Sequence, residues 1–247
     1  MKIAVINFSG NVGKSTVARH LLQPRIDGAD LISVESLNAT EGQTQTIRGR
    51  QFADLQEYLQ TVTSAIVDIG ASNVEQLLEL MRQYRGSHED FDAFVVPTVP
   101  ALKQQQDTIA TLVELSRIGV PSSRVRLLFN MVDDREELAR SFHPLLNFVA
   151  DHPVAQSDLA CRLGENEIYA RLKSTGMNVG EWVRDTIDYK ALIARAEDSA
   201  EKLALAHKLA TRRLAHGVLP ELDACFAALG LMGEADTTTQ LSDSAAA

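Results

Sequence analysis

The stretch MKIAVINFSGNVGKST at the start of the chain constrains its fold more than any other. An apolar run from Ile3 to Phe8 enters a short loop that ends Gly13-Lys14-Ser15-Thr16, and the amphipathic segment Val17-Ala18-Arg19-His20-Leu21-Leu22 follows. A buried strand that turns through such a loop into a helix is the setting of a phosphate-binding loop. A row of phosphates needs many N–H donors in a small space, and backbone with little side-chain bulk supplies them. On this reading Gly10 and Gly13 allow the tight path, and Gly13 also permits close approach. Lys14 reaches the β- and γ-phosphates, and the Ser15 hydroxyl ligates Mg²⁺. Ser9, Gly10, Asn11, Val12, Gly13, Lys14, Ser15 and Thr16 form the expected nucleotide-binding set.

Further along, apolar runs bounded by turn residues at 2–8, 30–34, 65–69, 93–96 and 126–129 read as buried parallel strands. Helical periodicity over 14–23, 52–62, 73–84 and 103–118 falls between them. Alternation of this kind predicts an α/β fold, a mostly parallel twisted sheet with helices on both faces. Residues 136–149 read as a further helix and 151–154 as a last short strand or a turn. Beyond Asp158 only helical periodicity is legible. Its longest run, 189–216, is expected to break at Gly217 and Pro220 before a second helix over 221–229. The expected organisation is a P-loop core over 1–155, a helical C-terminal extension over 156–232 and a Thr/Ser/Ala/Asp-rich disordered tail over 233–247.

Hydrophobic residues make up 45% of the 247, enough for a substantial core. A net charge of −9 argues against a surface given over wholly to nucleic acid, while leaving room for a local basic patch. Cys161 and Cys225 lie far apart and have no metal-ligand spacing, as expected of reduced, partly buried thiols in a cytoplasmic protein. The first apolar run is short and interrupted by Asn7, Ser9 and Asn11, so it is not read as a secretory leader. No run of about 18 apolar residues occurs, so no membrane span is expected.

Two further strings carry chemistry. Ala65-Ile66-Val67-Asp68-Ile69-Gly70 places a carboxylate at the end of a buried strand, where Asp68 holds Mg²⁺ through water or else simply terminates the strand. The preceding loop favours the first reading, with Gly70-Ala71-Ser72 as a switch facing the γ-phosphate. Lys202, Lys208, Arg212, Arg213 and His216 form a basic cluster. It is either a patch for phosphates or, the favoured reading, a solvated helix end whose cations suit the dipole.

The common G-x-x-x-x-G-K-[ST] pattern has a glycine where this chain has Phe8. The loop resembles instead the deviant form Lys-Gly-Gly-x-Gly-Lys-Ser/Thr of the ParA/MinD group of ATPases, with Ser9 at the signature lysine and Asn11 at the second glycine. The likeness runs over about residues 1–155. The string Ile-Asn-Phe-Ser-Gly-Asn-Val-Gly-Lys with the helical tail is most similar to the StbB plasmid-stability proteins of conjugative plasmids. The resemblance implies that Glu35, after the second strand, helps position the attacking water; its other reading is a solvated strand-end charge. It also implies that Asn130, in Leu127-Leu128-Phe129-Asn130-Met131, meets adenine, an edge suited to an amide that both donates and accepts. An Asx turn is the other reading of Asn130. Lys14, Glu35 and Asp68 are thus the expected catalytic residues, and Ser15 and Asp68 the metal ligands.

ParA relatives use the signature lysine across a nucleotide-sandwiched dimer, and serine cannot supply that charge. Another cation can substitute, with Arg48, Arg50 and Lys103 as candidates. Alternatively hydrolysis is slow, or it hardly occurs; the slow switch is the favoured outcome. The resemblance therefore implies ATP and Mg²⁺ as ligands and an ATP-dependent homodimer. It further implies a small plasmid-encoded DNA-binding partner, with weak or indirect DNA binding, and a role in plasmid stability, partition or conjugative transfer. The alternative is a metabolic P-loop enzyme, a small-molecule kinase or an ATP-dependent ligase of the dethiobiotin-synthetase type.

Overall fold

A computed structural model describes residues 1–34, 49–133, 137–173 and 175–231. Six parallel strands form one sheet: β1 (Lys2–Val5), β2 (Asp30–Ser33), β3 (Ala65–Asp68), β4 (Ala93–Thr98), β5 (Val125–Val132) and β6 (Arg162–Gly164). Their spatial order is β2-β3-β1-β4-β5-β6, so β1 is flanked by β3 and β4. Ile3 pairs with Ile66 on one side and with Ala93 on the other. The first helical segment starts as α1 (Lys14–Thr16), widens into π-helical turns over Val17–Leu22 and tightens into a 3-10 turn over Gln23–Arg25. It stands where periodicity predicts one helix over 14–23. The helices that follow are α2 (Gly49–Thr61), α3 (Ala71–Gln83), α4 (Leu102–Arg117), α5 (Leu138–Ser141) and α6 (His143–Asp151). After β6 come α7 (Ile168–Leu172), α8 (Val179–Arg184), α9 (Tyr189–Arg195) and α10 (Ser199–Ala228).

Strand periodicity assigns alternate side chains to opposite faces. Ala4, Ile6, Val67, Phe94, Val96, Leu127 and Phe129 pack with α2, α3, α4 and α6. Ile3, Val5, Ile66, Val95 and Leu128 pack against the helical turns after the loop and against α7, α8 and α10. The C-terminal helices therefore close the second face of the sheet. With parallel strands, helices on both faces and a glycine loop joining a central strand to a helix, the chain has the α/β fold of P-loop NTPases.

Of the two readings of 151–154, a strand or a turn, the turn holds: α6 ends at Asp151, the Val154 N–H donates to the His152 carbonyl at 2.7 Å, and Gln156 makes an isolated bridge to Arg126. Two expectations need correction. The segment beyond Asp158 is not wholly helical: β6 pairs with β5, and Leu163 is fully buried. The long C-terminal helix does not break at Gly217 and Pro220. Val218, Leu222, Cys225 and Leu229 are buried against the sheet, Arg25 bonds Asp223 at 2.7 Å, and Glu221 accepts the Gly164 N–H at 2.5 Å. An interior proline costs a helix about 3 kcal/mol, whereas each large apolar side chain buried returns roughly 1.5–3. Packing therefore outweighs the break. Both cysteines are free and buried. Among the described residues no helix is long and apolar enough to cross a membrane. The expected tail over 233–247 lies outside the described residues.

Candidate functional site

The loop after β1 rests on a buried polar network. Asn7 is fully buried; its Nδ2 donates to the Pro97 carbonyl at 2.9 Å and to Thr108 Oγ1 at 2.8 Å. Its Oδ1 accepts the Ser9 N–H at 2.8 Å, and the Phe8 N–H donates to Thr111 Oγ1 at 3.0 Å. Thr108 and Thr111 stand one turn apart on α4, which fixes the loop to β4 and α4 together. A buried amide satisfied on both ends is rigid, because each lost bond leaves a desolvated polar group behind. Asn7, Thr108 and Thr111 thus form the loop's footing, which sequence reasoning missed. A signal was available, since Asn7 interrupts an otherwise apolar strand run.

Lys14 folds back beneath this loop. Its Nζ donates to the carbonyls of Ser9 at 2.7 Å and Asn7 at 3.2 Å, and the residue is 7% exposed. Two loop residues adopt left-handed backbone, Asn11 (φ 59) and Gly13 (φ 86). Asparagine tolerates that region. Gly13 is also hemmed in: a Cβ there would lie 2.1 Å from Asn130 Nδ2. Gly10 differs from expectation, for its φ is not positive and a Cβ would meet nothing within 4 Å. The tight path is made by Asn11 and Gly13.

Gly10, Asn11, Gly13, Lys14, Ser15 and Thr16 line a cleft of about 410 Å³ together with Asp68, Gly70, Ala71, Met131 and Lys173. Ser15 is exposed to it, while Asp68 at the end of β3 is buried. A hydroxyl and a carboxylate are the hard oxygen donors that Mg²⁺ takes alongside phosphate and water, so these residues fit the ion. Among the described residues no cluster of three or more His, Cys, Asp or Glu side chains could hold a metal by itself.

Other expected site residues are placed differently. Ser9 is 3% exposed, its N–H is committed to Asn7, and its carbonyl receives Lys14. Val12 is fully buried. Asn130, expected against a base, lies beneath the loop at 3% exposure, and its Nδ2 donates to the Val12 carbonyl at 2.9 Å. Its neighbour Met131 opens to the cleft instead, at φ 54, where the β5–β6 register is irregular. Glu35 and Arg48 lie outside the described residues. Of the other candidate cations, Arg50 is exposed on α2 and Lys103 pairs with Asp107 at 3.1 Å on α4; neither lines the cleft. Lys173 does line it, unforeseen from the sequence.

The basic cluster is part of the middle of α10 and its first half, not a helix end, so the dipole explanation falls. Arg212 donates to the carbonyls of Asp185 at 3.0 Å and Ile187 at 2.6 Å and lies over the Tyr189 ring at 5.0 Å. That is a structural tie between α8, α9 and α10. A larger groove of about 860 Å³ lies there, lined by mixed charges including Arg171, Glu181, Arg184 and Lys208. It lacks a glycine loop, and the smaller cleft is the one with phosphate-binding equipment.

No family model and no curated protein matches the chain. Its fold overlaps several solved structures. The MinC:MinD cell division protein complex of Aquifex aeolicus is 12% identical over 87% of this chain and 95% of that one, with a TM-score of 0.49. MinD of the same organism gives 11%, 87%, 97% and 0.47. The septum site-determining protein MinD complexed with Mg-ADP, from Pyrococcus horikoshii OT3, gives 12%, 88%, 95% and 0.43. Likeness at such identities and scores carries no information about chemistry, which rests on the chain's own residues.

Proposed function

We propose that the protein is an ATP-binding switch that hydrolyses ATP slowly, of the ParA/MinD type its loop resembles. The observation that carries this reading is the cleft itself: Lys14, Ser15 and Asp68 from two adjacent strand ends open to one space beneath a rigid loop. Lys14 is held at the loop by two carbonyls and is the group to meet the β- and γ-phosphates. Ser15 and Asp68 would hold Mg²⁺, which when bound would neutralise charge building on the phosphates. Asn130 supports the loop, and the adenine preference rests on resemblance and on the lack of an Asn/Thr-Lys-x-Asp guanine-reading string. Glu35 is assigned to the attacking water, by resemblance alone.

Slow turnover follows from Ser9, which offers the phosphates no charge where the family has its lysine. ATP with Mg²⁺ favours a homodimer, which engages a small plasmid-encoded DNA-binding protein and, weakly or indirectly, DNA. Plasmid stability, partition or conjugative transfer is the process so served, in the StbB manner and in the cytoplasm. The test is light scattering after size exclusion with and without MgATP, on the wild type and Lys14→Ala. The expected result is a dimer only for wild type with ATP. Identical wild-type profiles with and without nucleotide would remove the switch.

A further inference from the structure

Lys173 follows α7, far along the chain from the phosphate loop, yet both line one cleft. Its position is built. Ile168 and Leu172 are buried in the second face of the core. Just after it, Thr175 closes a turn, its N–H and hydroxyl both reaching the Leu172 carbonyl at 3.0 Å. The Met177 N–H donates to Thr175 Oγ1 at 3.2 Å, and Asn178 caps α8 reciprocally with Glu181. On the far side, Arg19 from the π-helical turns reaches the Gly176 carbonyl at 3.5 Å. The segment that carries Lys173 is therefore fastened to the helical segment that leaves the loop.

Charge gives this placement a use. Among the described residues lining the cleft, the charged ones are Lys14, Asp68 and Lys173. Asp68 is assigned to the Mg²⁺ that accompanies the nucleotide, which leaves Lys14 and Lys173 as the lining cations that face the phosphates themselves.

Sheet order says which part of a nucleotide it meets. Asp68 ends β3, on one side of β1, and with Ser15 marks the metal end, where the terminal phosphates belong. Met131 on β5 and Lys173 beyond β6 lie on the opposite side of β1. A nucleotide with its terminal phosphates at Asp68 presents its base-proximal end to them, where the anionic group is the α-phosphate. We propose that Lys173 pairs with the α-phosphate of the bound nucleotide, contributing in cis a cation that recognises ATP and ADP alike. This rests on the nucleotide-binding reading above.

The test is equilibrium binding of fluorescent ATP and ADP analogues, with Mg²⁺, to wild type, Lys14→Ala, Lys173→Met and Lys173→Arg, at low and high salt. An exposed charge-assisted contact leads us to expect about a tenfold loss for Lys173→Met, equal for both nucleotides. Recovery in Lys173→Arg and a flatter salt dependence in Lys173→Met complete the expected pattern, with thermal midpoints matching wild type. Wild-type affinity in Lys173→Met, while Lys14→Ala binds weakly, overturns the assignment and leaves nucleotide binding standing. A loss confined to ATP also overturns it, since the contact would then be with the γ-phosphate. Failure of the wild type to bind either analogue removes the nucleotide reading and this assignment with it.

Discussion

The two ends of this cleft are held by different physics. The loop after β1 depends on directional bonds: Asn7 to Pro97, Thr108 and Ser9, Asn130 to Val12, Lys14 to two carbonyls. The helical layer from α7 to α10 depends on apolar burial against the sheet, and it keeps a glycine and a proline inside its longest helix. Directional networks allow little variation in backbone or side chain, whereas burial tolerates local faults so long as area is retained. The lesson is that a site can join a part that cannot change to a part that can.

The largest effect is expected at Gly13. An alanine there takes an unfavourable φ of 86 and drives its Cβ to 2.1 Å from Asn130 Nδ2. Asn130 must then leave Val12. Strain and a broken buried bond together are expected to cost about 3–5 kcal/mol in urea unfolding. Gly10→Ala meets open space at ordinary φ and is expected to stay within about 0.5 kcal/mol of wild type. Equal losses at the two glycines would mean that the loop is not held from below.

His20 tests the seam between the regions. It is buried, its ring 5.6 Å from that of Tyr169, and burial with the nearby Arg19 charge lowers its pKa from 6.5 to about 4. Between those values the unfolded chain binds a proton that the native protein refuses. Stability is therefore present in full above the unfolded value and falls as the pH drops to about 4. Below that the loss is constant. The loss is on the order of 3 kcal/mol. Subtracting the pH profile of His20→Phe from that of wild type isolates it, since other groups cancel. A flat difference would place His20 in contact with water.

Legibility in the sequence follows the same division. Five strands and the loop were readable because apolar runs between turn residues declare buried parallel strands. β6 was not, because Arg162-Leu163-Gly164 contributes one buried side chain and no run. Gly13-Lys14-Ser15 declared the phosphate end. Asn130 was visible as a strand-end amide, but its direction, toward Val12 and not outward, is set by the chain crossing above it. Lys173 had no signal: a lone lysine after a short amphipathic turn acquires meaning only when β6 and α7 bring it back to the loop. Local physics writes the loop, and long-range packing writes its far wall.

The smallest effects lie in α10, where sequence rules predicted a break that packing prevents. Pro220 is exposed, so truncating its ring removes little contact, and alanine restores an N–H for the helix while ending the clash with the carbonyl one turn earlier. Part of the gain is lost because proline also restricts the unfolded chain. Pro220→Ala is expected to stabilise by about 1–2 kcal/mol. Gly217→Ala adds a Cβ to open space within the same helix and is expected to give about 0.5–1 kcal/mol. The order matters more than the size. If burial against the sheet holds α10 continuous, both variants raise the unfolding midpoint, proline by more. If α10 instead needs a bend at 217–220 to seat Leu222, Cys225 and Leu229, both straighten it away from the sheet and lower the midpoint. The layer that carries Lys173 would then be as exacting as the loop it faces.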